Sequence, residues 1–125
     1  MDMSKVHIQQ YPNLVFTGEV IDGLKNEPVS EKTKIKILEK LHLLNDYGTN
    51  EDYLNKCIER THREKIWEMK FKDKSKTEWR ILFKKISYNT QPANYAVLMF
   101  FRKTTPKLTK RDLDAAEKIA RREGW

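Results

Sequence analysis

The fold is decided by Ile66-Trp67-Glu68-Met69-Lys70-Phe71-Lys72 and by two stretches that follow it, Trp79-Arg80-Ile81-Leu82-Phe83-Lys84 and Ala96-Val97-Leu98-Met99-Phe100-Phe101-Arg102-Lys103. Charged side chains alternate with apolar ones in the first stretch, which is the pattern of a strand with one buried face. The third stretch is apolar on both parities, as a central strand would be. The three stretches predict a sheet, and their Lys and Arg residues are held more rigidly than residues on loops. Such a surface favours a polyanion, most directly RNA.

The chain before these stretches predicts further elements that cover the sheet. A strand is expected over residues 5–11 and a helix over residues 13–24. The clearest helix covers residues 30–47, with Ser30 as its N-cap and Gly48 just beyond its end. Its buried face is expected to consist of Ile35, Leu38, Leu41 and either Leu44 or Asn45.

Two further segments complete the predicted architecture. Asn50 is expected to cap a short helical segment, and Thr109 forms a capping box with Asp112 at the start of a final helix. That helix is expected to turn four apolar residues inward, namely Leu113, Ala116, Ile119 and Ala120. The elements together predict an α+β fold, in which a small, twisted, mainly antiparallel sheet has helices packed on one face and basic residues on the other.

Length and charge limit the class of protein. A chain of 125 residues is expected to form one domain, residues 1–125. Residues 1–59 carry 7 Lys+Arg against 10 Asp+Glu, a net of −3, whereas residues 60–125 carry 18 against 8, a net of +10. Excess positive charge in the second half suits phosphate binding, although a solvated basic face would have the same composition.

Cysteine usage and hydropathy indicate a cytoplasmic protein. Cys57 is the only cysteine in the sequence, so no internal disulfide can form. No apolar run approaches the ~20 residues of a membrane helix, and no signal peptide is expected. The three histidines and one cysteine lack the spacing of metal ligands, so neither a metal nor another cofactor is expected.

Five motifs follow one another along the chain. They are Leu41-His42-Leu43-Leu44-Asn45-Asp46-Tyr47-Gly48, Trp67-Glu68-Met69-Lys70, Trp79-Arg80-Ile81-Leu82-Phe83, Phe100-Phe101-Arg102-Lys103-Thr104, and Pro106 followed by Ala116. This order resembles the RelE/HigB-type toxins of bacterial type II toxin–antitoxin systems, and more narrowly the phage-associated HigB-like branch of the RelE/ParE superfamily. The resemblance covers about residues 30–122. The chain departs from the family where Met69-Lys70 replaces Leu-Arg and Arg102 replaces lysine, changes that keep charge but alter contact geometry.

The resemblance implies a RelE-like fold and a ribosome-dependent endoribonuclease that cleaves mRNA. The nucleophile would be the RNA's own 2′-hydroxyl, with no metal involved. Arg80 is then expected to bind the scissile phosphate, because a guanidinium fork matches it, with Lys70 and Lys103 as further catalytic cations. The expected RNA-binding residues are Lys72, Lys84 and Arg102.

The proton-transfer roles stay open at this stage. A lysine among other cations can act as a base, and Lys70 is the candidate by position. His62 is the only histidine near the basic half of the sequence. Glu68 is expected to pair with a neighbouring cation.

The implied partners are mRNA on the ribosome and a cognate antitoxin of the helix-turn-helix, DNA-binding kind. Two alternatives remain. The same scaffold serves ParE-like gyrase inhibitors, in which losing Lys70, Arg80 or Lys103 should leave toxicity intact. The chain could instead be a non-enzymatic phage or prophage protein that binds nucleic acid or a host protein. Such a protein would have the toxin fold without the activity, since fold does not determine function.

Overall fold

The computed structural model describes residues 5–49, 58–61, 63, 65–73, 77–87, 94–103 and 107–125. Within these ranges the chain forms six strands and three helices. In chain order they are β1 (Val6–His7), β2 (Leu14–Phe16), α1 (Gly18–Asn26), α2 (Glu31–Tyr47), β3 (Ile58–Arg60), β4 (Ile66–Lys72), β5 (Glu78–Lys85), β6 (Tyr95–Lys103) and α3 (Lys110–Arg122). The predicted α+β fold is confirmed.

All six strands belong to one sheet with the order β1-β2-β6-β5-β4-β3. Its strand pairs are antiparallel except for β2, which lies parallel to β6. The long pairs fix the register of the charged residues: Lys70 lies opposite Arg80, and Arg80 lies opposite Phe101. Glu78 lies opposite both Lys72 and Lys103. The sheet therefore brings residues from β4, β5 and β6 together on one face.

The helices cover both faces of the sheet. On one face, α1 and α2 pack on a core with residues from five strands. That core includes Phe16, Met69, Ile81, Phe83 and Val97. On the other face, Leu113, Ala116 and Ala120 of α3 pack against Leu82 and other strand residues. Two helices thus share a face, but the expectation that all helices pack there and leave the basic residues on the other face is wrong for α3, because its apolar residues bury against the face that carries Lys70 and Arg80.

The predicted helix over residues 13–24 is wrong in its first half. Leu14–Phe16 is a strand whose hydrogen bonds go to Tyr95–Val97. Helix α1 begins only after Thr17, whose hydroxyl accepts a hydrogen bond from the Val20 amide. The physical reason is that Val15 and Phe16 fit a buried strand better than a helix, and β6 offers them a ladder.

Helix α2 has the predicted ends but a different buried face. Ser30 caps it and Gly48 follows it with φ 68. The residues that it buries are Thr33, Ile37, Leu41, Leu44 and Asn45, whereas Ile35 and Leu38 are 52% and 45% exposed. Tertiary partners explain the rotation, because the Thr33 hydroxyl donates to Asp73 and Asn45 accepts the Asn13 amide. The spacing of hydrophobic residues in the sequence cannot reveal such polar contacts.

The ends of the chain agree better with prediction. The first strand is present but short, covering Val6–His7. The capping box of Thr109 and Asp112 is formed, and Leu113, Ala116 and Ala120 are buried. The segment predicted to begin at Asn50 lies outside the described residues.

Candidate functional site

The three predicted catalytic residues lie on one face of the sheet, which is the face covered by α3. Lys70, Arg80 and Lys103 come from β4, β5 and β6, which are neighbours in the sheet. Their registers place them side by side, since Lys70 lies opposite Arg80 and Lys103 lies opposite Glu78, two residues from Arg80. The sequence-based expectation that strands would bring these cations together agrees with this placement.

The three predicted RNA-binding residues are more dispersed. Lys72 is exposed and follows Lys70 on the same face of β4. Lys84 shares the face of Arg80 but lies farther along β5, opposite Ala96. Arg102 is exposed on the opposite face, because it lies opposite Trp79, whose side chain belongs to the α1/α2 core. Lys72 is therefore the member of this group that extends the set around Lys70.

Arg80 is buried rather than presented to solvent. It is 1% exposed, and its Nε lies 2.8 Å from Glu68 Oε2. Its Nη2 lies 3.1 Å from Glu78 Oε2. The guanidinium is thus bound by two carboxylates of the protein. In this structure Arg80 acts as an anchor for those carboxylates, a role that sequence reasoning did not foresee.

The other two cations are also ion-paired. Lys70 Nζ lies 3.1 Å from Glu59 Oε1 and 3.9 Å from Glu68 Oε1. Lys103 Nζ lies 2.7 Å from Asp112 Oδ2, at the start of α3. We call this set the charge cluster, and it consists of Glu59, Glu68, Lys70, Glu78, Arg80, Lys103 and Asp112. Lys70 is paired with two carboxylates here, whereas its assignment as a base rested on neighbouring cations alone.

A pocket of about 260 Å³ opens beside the charge cluster, between β3, β4 and the start of α3. It is lined by Glu59, Arg60, Thr61, Glu68, Lys70, Lys107, Leu108 and Leu113. Lys70 and Lys107 are cationic and Glu59 and Glu68 are anionic, whereas the Arg60 guanidinium lies over the Trp67 ring, 5.1 Å from its centroid, on the opposite face of the sheet. The pocket therefore places two ammonium groups beside two carboxylates, a set that can bind a phosphate and exchange a proton with a bound group.

Glu68 is the unusual member of this pocket. It is only 5% exposed, and its Oε2 is buried against Arg80. Burial raises the pKa of the Glu68 carboxyl, while the positive charges of Arg80 and Lys70 act in the opposite direction. The predicted pairing with a cation is confirmed. The signal available in the sequence was its parity, because Glu68 shares a face with Lys70 in a strand whose other face is apolar.

Asp112 connects the charge cluster to α3. Its Oδ2 accepts hydrogen bonds from Lys103 Nζ at 2.7 Å and from the Thr109 amide at 2.9 Å. Burial raises the pKa of Asp112, but the hydrogen bonds from Lys103 and Thr109 outweigh it and hold the pKa below its ordinary value of 3.8. One carboxylate thus closes the capping box and fixes the Lys103 ammonium.

Replacing Asp112 with asparagine should weaken the acid dependence of stability. Because the folded pKa lies below the unfolded one, the stabilisation is complete above the ordinary value of 3.8 and is lost as the pH falls through the folded pKa. Urea unfolding from neutral pH down past this value should show a smaller loss in D112N than in the wild type. Asp22→Asn, at an exposed position of α1, is the control. Equal acid losses in D112N and the wild type would contradict the assignment.

Two further features concern the described residues, namely groups of metal ligands and helices that could span a membrane. No group of three or more His, Cys, Asp or Glu side chains there is arranged to hold a metal ion. None of the helices in the described ranges has both the length and the apolar character needed to cross a bilayer. His62, the histidine near the basic half, lies outside these ranges.

Among the comparisons with known proteins, one family model matches the chain. No curated protein and no solved structure matched the chain. A family model described as "Phage derived protein Gp49-like (DUF891)" matches residues 26–121, which run from the end of α1 almost to the end of α3. That range contains every residue of the charge cluster and of the pocket. Since the match covers more than half of the sequence, the chain belongs to the phage-derived Gp49-like family, a family of the RelE-like toxin kind.

Proposed function

We propose that this protein is the toxin of a type II toxin–antitoxin system and that it cleaves mRNA on the ribosome. One observation carries the proposal: Lys70, Arg80 and Lys103 converge from three neighbouring strands on one face, beside a pocket that Lys107 also lines. The membership of the Gp49-like family supports a toxin, and the order of the motifs supports the HigB-like branch. The reaction needs positioned positive charge and proton transfer, and no metal.

In the proposed reaction, the 2′-hydroxyl of the RNA attacks the adjacent phosphate. Lys70 and Lys107, which line the pocket, neutralise the phosphate oxygens. Lys103 adds positive charge from the end of β6, and Arg80 acts through its ion pair with Glu68. This division of work differs from the sequence-based one, in which Arg80 itself bound the phosphate.

The outer cations would guide the RNA strand. Lys72 continues the face of Lys70 and is exposed, so it fits a phosphate next to the pocket. Lys84 and Arg102 lie farther away, and Arg102 is on the other face of the sheet. They would contact RNA or the ribosome outside the pocket. We also propose that the chain works in the cytoplasm and is neutralised by a cognate helix-turn-helix antitoxin.

The test is inducible expression of the wild type, Lys70→Ala and Lys36→Ala in a bacterial host. Lys36 is an exposed lysine on α2 and serves as a charge-matched control. We expect the wild type and K36A to arrest growth and to create new 5′ ends in an abundant translated message, detected by primer extension. K70A should abolish both effects at equal protein level, because the pocket loses a cation in direct reach of the phosphate.

Other results of the same experiment would replace the proposal. Growth arrest without RNA cleavage, retained in K70A, would indicate another target, such as gyrase for a ParE-like protein. No arrest in any host, with folded protein present, would indicate a non-enzymatic phage or prophage protein. Both outcomes count against a ribosome-dependent nuclease.

A further inference from the structure

We infer that Glu68 is the general base of the pocket, the group that takes the proton from the attacking 2′-hydroxyl; this inference rests on the proposed function. The sequence did not single out Glu68 for this role. Three features of the site support this role: the position of the carboxylate, the unsuitability of its neighbours, and a reaction that balances.

The position of Glu68 leaves one carboxylate oxygen for the pocket. Oε2 is fully buried and lies 2.8 Å from Arg80 Nε, so the carboxylate is held in a buried ion pair. Oε1 is the oxygen on the side of Lys70, at 3.9 Å from its Nζ. A substrate phosphate bound by Lys70 would thus have its ribose within reach of Oε1. Arg80 is in this view a positioning residue.

The other carboxylates of the charge cluster are occupied or too exposed. Glu59, the other carboxylate that lines the pocket among the described residues, has a side chain that is 61% exposed and pairs with Lys70. Glu78 binds Arg80, and Asp112 binds Lys103 and caps α3. Burial makes Glu68 the stronger base, because it raises the pKa of this carboxyl. The described histidines, His7 and His42, lie on β1 and α2, away from the pocket.

The reaction balances with residues already present. The proton of the 2′-hydroxyl passes to Glu68 Oε1 while the 2′-oxygen forms a bond to phosphorus. The bond between phosphorus and the 5′-oxygen breaks, and that oxygen takes a proton from the Lys70 ammonium. The products are a 2′,3′-cyclic phosphate and a 5′-hydroxyl. The proton on Glu68 then returns to Lys70 through solvent, and no electrons are gained or lost.

The experiment compares purified wild type, Glu68→Gln and, as the control, Glu39→Gln at an exposed position of α2, in single-turnover cleavage of mRNA on ribosomes across a range of pH. Glutamine keeps the shape of Glu68 and an oxygen for Arg80, but it cannot accept the proton. We expect E68Q to lose activity by about 10²–10⁴-fold, the usual contribution of a general base, while E39Q changes little. The product of the wild type should carry a 2′,3′-cyclic phosphate.

The pH profile separates a base from a structural residue. The wild-type rate should fall on the acid side as Glu68 becomes protonated, with a midpoint above the ordinary glutamate value of 4.5. The residual rate of E68Q should lack that fall. If E68Q does not fold, as judged by thermal unfolding, the wild-type profile decides alone, and a rate that is flat on the acid side overturns the inference.

The outcomes also separate this inference from the proposed function. Wild-type protein that cleaves, together with an E68Q that cleaves equally and with the same pH profile, would overturn only the role of Glu68. Wild-type protein that cleaves no RNA on ribosomes would overturn the nuclease and the base together.

Discussion

Replacing Arg80 with alanine is expected to lower the free energy of unfolding by about 3–5 kcal/mol, the cost of breaking a buried ion pair by removing one partner. Arg80 is 1% exposed and binds Glu68 and Glu78. Its removal leaves the buried Glu68 carboxylate without its nearest cation. Chemical denaturation at neutral pH, followed by circular dichroism, measures the loss.

The matched control is Arg102→Ala. Arg102 is an exposed arginine on β6 and lies opposite Trp79, the residue that precedes Arg80. We expect R102A to stay within about 0.5 kcal/mol of the wild type, as surface substitutions do. An R80A protein that unfolds at the same denaturant concentration as R102A would show that the Arg80 pairs contribute little.

A double-mutant cycle measures the interaction energy between Arg80 and Glu68. Arg80→Met removes the charge and keeps much of the volume, and Glu68→Gln removes the charge of its partner. E68Q has no charge at position 68 for Arg80 to neutralise. R80M should therefore lower the free energy of unfolding less in the E68Q background than in the wild type. This result also bears on toxicity assays, since loss of toxicity in R80A alone would reflect lost folding as well as lost chemistry.

Phe83→Ala is expected to have a similar cost of about 3–5 kcal/mol, but through packing. Phe83 is fully buried, and its ring centroid lies 6.4 Å from that of Trp67 and 5.8 Å from that of Tyr95. Truncation would leave a cavity in the core between the sheet and α2. Thermal or urea unfolding of F83A against the wild type measures the cost.

The control for this prediction is Leu38→Ala, an aliphatic truncation at a position that is 45% exposed. L38A should lose far less stability, because nearly half of the Leu38 surface stays in water in the folded protein. Phe83 faces away from the charge cluster, so the activity per folded F83A molecule should equal that of the wild type. A folded F83A without activity would show that the α1/α2 core and the site are coupled.

Much of the fold was predictable because strong local signals were consistent with the final packing. The alternation in β4 and the apolar run of β6 predicted two strands whose faces are as expected. The caps at Ser30 and Thr109 predicted two helix starts, both confirmed. These signals lie within a few residues of each other, so they act before any tertiary contact forms.

Other elements depended on distant partners. Leu14–Phe16 becomes a strand because β6, about 80 residues away, provides the ladder. Helix α2 rotates away from its apparent apolar face because Thr33 and Asn45 find polar partners in Asp73 and Asn13. Neither choice can be made from local periodicity.

The sequence by itself determined which residue types lie on the strands, their parity and the balance of charge in each half. It therefore predicted that Lys70, Arg80 and Lys103 would share a face. Only the tertiary structure decided their environment: α3 covers that face, and Glu59, Glu68, Glu78 and Asp112 neutralise the cations there. The physical reason is that strand parity is a local property, whereas burial and ion pairing depend on which strand and helix lie next to it.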